Sequence, residues 1–326
     1  MQSPRSARPS HGDYYVVTHD VATRLQVFRS AILTVPQQDD PIFENFHRQL
    51  HEKMQTALVN VTVHTIHIGE LARTMWEKVA HLIGDRMVVS TCSEIVAFQT
   101  ESFTLNVNRL FDGQGELVGY GSRPGCESME AQFGNLIAKA AGKSIVLAEE
   151  GAFTGGTIRF VLQELKARGA DVSMLVVGFC APTICNYIRE SFVGELVVIN
   201  EVGELVDWIT DHDLIPFTPG CGRVREEKTE DGNICAYPYI LPFGKMGEWT
   251  SLSEDIALEL SKFCLGASIG FFDRFGKSDG SHLTIRDLVR SYPAVPIPAM
   301  LGESGGIPPL DSEVVDFLKV MLGKLD

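Results

Sequence analysis

Positive charge is scarce in this chain. Lysine and arginine total 28 against 42 aspartates and glutamates, giving a formal charge of −14 and a pI near 5.1. Such a surface repels a phosphate backbone, which argues against nucleic acid as a partner but not against one phosphorylated ligand held by local groups. Long apolar runs are missing as well. No segment reaches the roughly 20 residues needed to span a bilayer, and Met1 to Gly12 lacks the apolar core of a signal peptide, so it reads as a disordered tail. Seven cysteines are scattered at 92, 126, 180, 185, 221, 235 and 264 without a CxxC pair. That removes the usual signals for a zinc ribbon or a disulfide scaffold and predicts small buried thiols in a reducing, cytoplasmic setting. No GxGxxG follows a strand-like run, so a dinucleotide site is not expected. Internal repeats, low-complexity runs and a Ser/His/Asp or Cys/His nucleophile constellation are likewise missing.

What the chain does have is enough apolar material, 44% of 326 residues, to bury a full core in one large domain or two. Its most informative stretch is Ser144–Thr157. Ile145-Val146-Leu147-Ala148 has the length and branching of a buried parallel strand. Glu149 and Glu150 follow at the strand's carboxyl end, where ligands bind in open α/β sheets. Thr154-Gly155-Gly156-Thr157 can fold a tight loop whose N–H groups, at a helix N-terminus, hold a phosphate. Acidic residues beside such a nest make sense when they face hydroxyls or a metal. The helix that follows places Ile158, Val161, Leu162 and Leu165 on one face and stops at Gly169 after Lys166 and Arg168. A strand at Ser173–Phe179, a short helix at Thr183–Ser191 and a strand at Glu195–Ile199 complete a βαβ pattern on a parallel sheet.

The stretch resembles the ribose-phosphate signature of the type I phosphoribosyltransferases, closely over Ser144–Thr157 and by element order over roughly 86–225. The resemblance implies a parallel sheet flanked by helices, here with helical N- and C-terminal additions. It implies that Glu149 and Glu150 bind the ribose hydroxyls and Mg²⁺, and that Gly151, Ala152, Phe153, Thr154, Gly155, Gly156 and Thr157 hold the 5-phosphate. It further implies transfer of the phosphoribosyl group from 5-phosphoribosyl 1-diphosphate to a small acceptor. A non-catalytic sensor of phosphoribosyl diphosphate or a nucleotide is the alternative, and so is an unrelated Rossmann-like protein holding another phosphate. Two departures from the pattern stand out: the pair is Glu-Glu, where Asp-Asp or Glu-Asp is usual, and Phe153 replaces an acid that acts near the purine N7 in the hypoxanthine and guanine enzymes. By order alone, Thr91, Cys92 and Ser93, after a strand at Arg86–Ser90, occupy the place of the family's diphosphate loop. Arg123, after a strand-like run from Leu117, either joins that site or is a solvated loop arginine.

The flanks are less specific. Residues 13–83 look mainly helical, with faces Phe43, Phe46, Leu50, Met54 and Leu71, Met75, Val79, Leu82 around a strand-like Leu58–Val63; they suit a cap or the interface of a homo-oligomer. His64 and His67 are spaced i, i+3 and lack an identifiable third metal ligand, so a core or interface role is favoured. In Val206–Asp213, Trp208 could stack on an acceptor ring and Asp211 or Asp213 read a ring N–H; alternatively the segment is a helix with Trp208 buried and a solvated acidic end. Residues 226–326 form a C-terminal region with helices expected at about 252–266, 284–291 and 312–323, the last capped by Ser312. A hood over the site can come from either terminus. The domain reading is therefore 1–12, 13–83, 84–225 and 226–326.

Overall fold

Two consecutive buried runs, Ile145–Ala152 and Val172–Cys180, form the middle of a computed structural model of the protein. The structure describes residues 13–30, 33–96, 102–112, 114–228, 232–301 and 307–326. The expected tail at 1–12 lies outside them. In chain order the strands are β1 (Asp13–His19), β2 (Leu33–Thr34), β3 (Val61–His67), β4 (Met87–Ser90), β5 (Ser102–Thr104), β6 (Val107–Phe111), β7 (Leu117–Ser122) and β8 (Ile145–Ala152). They continue as β9 (Val172–Cys180), β10 (Glu195–Glu201), β11 (Leu205–Thr210), β12 (Arg223–Lys228), β13 (Ile234–Tyr237), β14 (Gly276–Lys277) and β15 (Ile297–Pro298). The first helices are α1 (Val21–Leu25), α2 (Pro41–Ala57), α3 (Ile68–Ile83), α4 (Ser93–Val96), α5 (Met129–Ala140), α6 (Gly156–Ala167) and α7 (Pro182–Ser191). The remainder are α8 (Met246–Trp249), α9 (Glu254–Asp273), α10 (Ile285–Ser291) and α11 (Val314–Gly323).

A five-stranded parallel sheet, ordered β10-β9-β8-β4-β5, confirms the α/β reading of the centre. Helices cover it on both faces, which is why its central strands β8 and β9 are buried along nearly their whole length instead of alternating. On one face β8 presents Ile145 and Leu147 to α5, α6 and α7 through Phe133, Leu136, Ile158, Val161 and Ile188. On the other it presents Val146 and Ala148 to α3 through Leu71, Met75 and Val79. The chain steps from β4 outward to β5, then returns to the opposite side of β4 for β8, so the order reverses between β4 and β8.

The flank at 13–83 is not only helical. β1 and β3 pair in parallel, and β11 joins β1 from the other side to make a second parallel sheet, β11-β1-β3. Its faces separate cleanly. Tyr15 and Val17 look towards Phe46, Leu50 and Met54 of α2 and the C-terminal helices, whereas Val16 and Ile66 look towards α3. α3 is thus shared between the two sheets. The boundaries at 83/84 and 225/226 do not separate structural units: the first divides β1 from its sheet partner β11, and the second runs through β12. β12 belongs to a mixed sheet, β15-β13-β12-β6-β7, built from both sides of that boundary.

Several terminal details also differ from expectation. Val206–Asp213 is a strand and a 3₁₀ turn, not a helix, and its acidic end is not solvated, since Asp211 is fully buried. α9 runs on to Asp273, beyond the expected 266, because Phe271 and Phe272 extend its buried face. α10 starts behind a full Thr284–Asp287 capping box. α11 is preceded by Glu313 without a side-chain cap, so Ser312 is not its N-cap. No helix among the described residues is long and apolar enough to cross a membrane.

Candidate functional site

In open α/β sheets the crevice for a ligand lies at the carboxyl ends of the strands, where the strand order reverses. Here that point lies between β4 and β8. Thr91 and Cys92 follow β4 at this point. Glu149 and Glu150 lie within β8, which runs on to Ala152 and does not stop at Ala148 as expected from the sequence, because Gly151 and Ala152 still pair with Phe179 and Cys180 of β9. The Thr91 hydroxyl donates a hydrogen bond to Glu149 Oε2. Arg123 reaches the same place from the end of β7, donating from Nη2 to the Thr91 carbonyl at 2.9 Å and from Nε to the Val107 carbonyl at 3.2 Å. Thr91, Arg123 and Glu149, far apart in sequence, therefore meet. Cys92 is buried, and its Sγ lies 3.1 Å from Glu94 Oε2; Ser93 is exposed and donates to that same oxygen at 3.0 Å.

The two glutamates are neighbours within β8. Strand alternation sends neighbouring side chains to opposite faces, so Glu149 joins Thr91 and Arg123 while Glu150 turns towards β1. Burial raises the Glu149 carboxyl to about 7 against the lowering effects of Thr91 and Arg123. Burial and the Asp20 charge raise Glu150 to about 8 against a hydrogen bond from Thr18 and the charge of Arg24. Glu150 Oε1 is buried without a hydrogen-bond partner.

The loop after β8 folds as its composition requires. Gly155 takes the left-handed conformation (φ +68°) as the N-cap of α6, where a β-carbon would be strained. No side chain caps the first turn of α6; the Gly156 N–H finds only the Thr154 hydroxyl at 3.4 Å. An uncapped first turn leaves backbone donors without an intrahelical acceptor, the feature that anion sites at helix N-termini use. A β-carbon on Gly156 would lie 2.6 Å from the Tyr120 hydroxyl, and one on Gly151 would lie 2.3 Å from the Phe179 ring. Ala152 is buried, and Phe153 and Thr157 are half-buried.

The residues proposed for an acceptor are not presented to this crevice. Trp208 lies on β11, packs edge-on against Phe179 at 4.9 Å and donates from Nε1 to the Thr18 hydroxyl at 2.9 Å. Asp213 accepts from the Thr210 hydroxyl at 2.9 Å and the Gly222 N–H at 2.8 Å, which closes the loop after β11.

A second polar cluster, which sequence reasoning missed, lies at the carboxyl ends of the smaller sheet. His19 ends β1, Asp211 follows β11 and His47 comes from α2, the crossover helix between β1 and β3. Asp211 Oδ1 accepts the backbone N–H groups of Asp20 (3.0 Å) and Val21 (2.9 Å). Its Oδ2 lies 3.1 Å from His19 Nδ1 and 3.0 Å from His47 Nε2. The His47 approach is close but misaligned, and Nε2 is left buried without a hydrogen bond. Burial pushes the Asp211 carboxyl up, but the two imidazoles outweigh it and hold it well below the ordinary value. His67, in register with His19, places its ring 5.0 Å from His19 and 5.6 Å from His47; burial, then the charges of those two imidazoles, lower its pKa. His64 is on the opposite face of β3, because i and i+3 on a strand point apart. The signal in the sequence was the pair of segments Thr18-His19-Asp20 and Thr210-Asp211-His212-Asp213, which cross-link reciprocally: His212 Nδ1 also lies 2.8 Å from Asp20.

No family model matches the sequence, and no curated protein or solved structure matches the chain.

Proposed function

We propose that the crevice between β4 and β8 binds a sugar phosphate of the 5-phosphoribosyl 1-diphosphate class and transfers its ribosyl phosphate to a small acceptor. The observation that supports this best is the order at the strand end. Buried strand, acidic pair, glycine-held turn and uncapped helix N-terminus follow one another at the point where the sheet order reverses. The loop Thr154–Thr157 would hold the 5-phosphate, with Glu149 and Glu150 at the ribose hydroxyls. Thr91 and Arg123 stand where a diphosphate would lie, with Cys92 and Ser93 on its rim.

A divalent cation fits this edge. Glu150 offers hard oxygen donors of the kind Mg²⁺ takes, and its orphaned Oε1 is a buried acceptor in need of a partner, whereas Glu149, on the other face of β8, is engaged by Thr91 and would have to turn to join it. When bound, the ion neutralises charge developing on a departing diphosphate. In the transfer itself the ribose C1–O bond breaks towards an oxocarbenium-like state, the electron pair leaves with diphosphate, and a lone pair of the acceptor forms the new bond to C1 while the acceptor's proton passes to solvent or to the departing diphosphate. The arginine and the loop N–H groups stabilise the anionic parts, while the ionised carboxylates lie beside the developing positive charge. No protein nucleophile is needed.

Calorimetry with phosphoribosyl diphosphate and Mg²⁺ tests the reading. One equivalent should bind, with protons released at pH 7 because carboxyls raised to about 7 and 8 must ionise to take a cation. No binding of either phosphoribosyl diphosphate or ribose 5-phosphate would end it. Position 153 favours keeping the sensor as a second reading, since a phenylalanine cannot move a proton at an acceptor ring. Hypoxanthine and guanine are therefore expected to be poor acceptors. Diphosphate release in an acceptor screen separates enzyme from sensor.

A further inference from the structure

We propose that His19, His47 and Asp211 form a binding site for a divalent transition-metal ion of the zinc class, separate from the sugar-phosphate crevice and independent of that reading. The three donors come from three elements, and their ligand atoms all lie within 4.8 Å of one another. Bonds of about 2.0–2.1 Å at tetrahedral angles separate ligand atoms by roughly 3.3 Å. The two separations from Asp211 Oδ2, 3.1 Å to His19 and 3.0 Å to His47, are within a few tenths of that.

The supporting shell is of the right kind. With Asp211 Oδ1 tied to two backbone N–H groups, Oδ2 is aimed at the imidazoles, as second-shell hydrogen bonds aim metal-binding carboxylates. A protonated imidazole alone explains the cluster less well. His19 hydrogen-bonds Oδ2, whereas His47 Nε2, 3.0 Å from the same oxygen, is buried without an aligned hydrogen bond. A cation at the centre satisfies both nitrogens and the oxygen together. The His19 and His47 rings stack at 4.0 Å, so seating an ion requires the His47 ring to turn about its side-chain torsions until Nε2 points at the shared centre.

Two nitrogens and one oxygen are the ligand chemistry of Zn²⁺, Co²⁺ or Fe²⁺, whereas Mg²⁺ and Ca²⁺ take all-oxygen sets. Three protein ligands leave a coordination position open, as in catalytic zinc sites and not structural ones. The exposed side of His67 marks the face from which an ion and a water enter. The cluster also has the same topological position as the first site: β1 is central in its sheet, with β3 added on one side and β11 on the other. Strand alternation keeps the two apart, since His19 faces α2 while Thr18 faces Trp208 and Glu150.

The test uses the full chain, stripped by a chelator and titrated with Co²⁺ and then Zn²⁺. One equivalent of Co²⁺ should bind with ligand-field bands and without a thiolate charge-transfer band, and Zn²⁺ should displace it. His47→Ala should weaken binding at least about 100-fold and abolish the metal-dependent rise in melting temperature, while circular dichroism without metal stays unchanged. Should that variant misfold, His47→Gln provides the same comparison. Sub-stoichiometric binding at micromolar metal, a thiolate band, or equal affinity in wild type and variant would overturn the site.

Discussion

At the scale of single residues, the two glutamates are the most telling groups in the molecule. An ordinary glutamate near 4.5 would be ionised at neutral pH, yet burial raises Glu149 to about 7 and Glu150 to about 8. The sign of the consequence is fixed. Between pH 4.5 and 8 the unfolded chain has released these protons while the folded protein still holds them, so stability falls as pH rises through that window. At 1.36 kcal/mol per unit, Glu150 alone is worth on the order of 4 kcal/mol between the two ends. Glu150→Gln removes that titration. Urea denaturation at pH 5 and pH 8 should show the variant losing less stability than wild type across the interval. Parallel losses would mean that Glu150 is already ionised near 4.5. Such a carboxyl is poorly tolerated by the fold and is expected to be retained for what it binds.

At the scale of elements, the turn into α6 decides whether the phosphate reading holds. Gly156→Val places a β-branched side chain where a β-carbon would already meet the Tyr120 hydroxyl at 2.6 Å, in the turn that supplies the N–H donors. Ribose 5-phosphate binding should be lost while the melting temperature changes little, because the helix itself keeps Ile158, Val161 and Leu165 buried. Wild-type affinity in this variant would remove the loop from the site. This element was legible in the sequence because everything that defines it is local: branched run, acids, glycines and helical periodicity lie within Ser144–Leu165. β1 was not. Its Tyr14–Thr18 run is short, and it is a strand only because β3 and β11 pair with it, the latter far along the chain at Leu205–Thr210. The His19–His47–Asp211 cluster shows in the sequence only as two separate segments for the same reason, since 192 residues separate His19 from Asp211 and only the pairing of β1 with β11 brings them together. The i, i+3 spacing sets His67 beside His64 in the sequence, whereas both lie in β3, where alternation puts them on opposite faces.

At the scale of the whole molecule, the carboxyl edges of the two parallel sheets are held together by one half-buried cation. Arg24 donates from Nε to Asp20 at 2.5 Å, approaches Glu94 at 3.7 Å and reaches the Pro219 carbonyl at 3.4 Å. It thereby ties the end of β1 to the helix after β4 and to the loop after β11. Burial pushes the Glu94 carboxyl up, but Arg24 and then the Cys92 contact pull it down to about 2, so it is ionised at all ordinary pH values. Glu150 is part of the same field, raised by Asp20 and lowered by Arg24. Removing the cation leaves these acids facing one another in a desolvated place, a penalty of about 3–5 kcal/mol for a buried pair broken from one side. Arg24→Met keeps most of the side-chain volume and should lower stability by about that amount at pH 8. The deficit should shrink towards pH 5, because without Arg24 the Glu94 carboxyl rises towards the range where it can take up a proton. Adding Glu94→Gln to Arg24→Met should recover part of the loss at pH 8, as expected when one member of a coupled group relieves another. A deficit that is independent of pH and unaffected by Glu94→Gln would mean that Arg24 serves by packing alone, and that the two sheet edges, with the two sites built on them, are electrostatically independent.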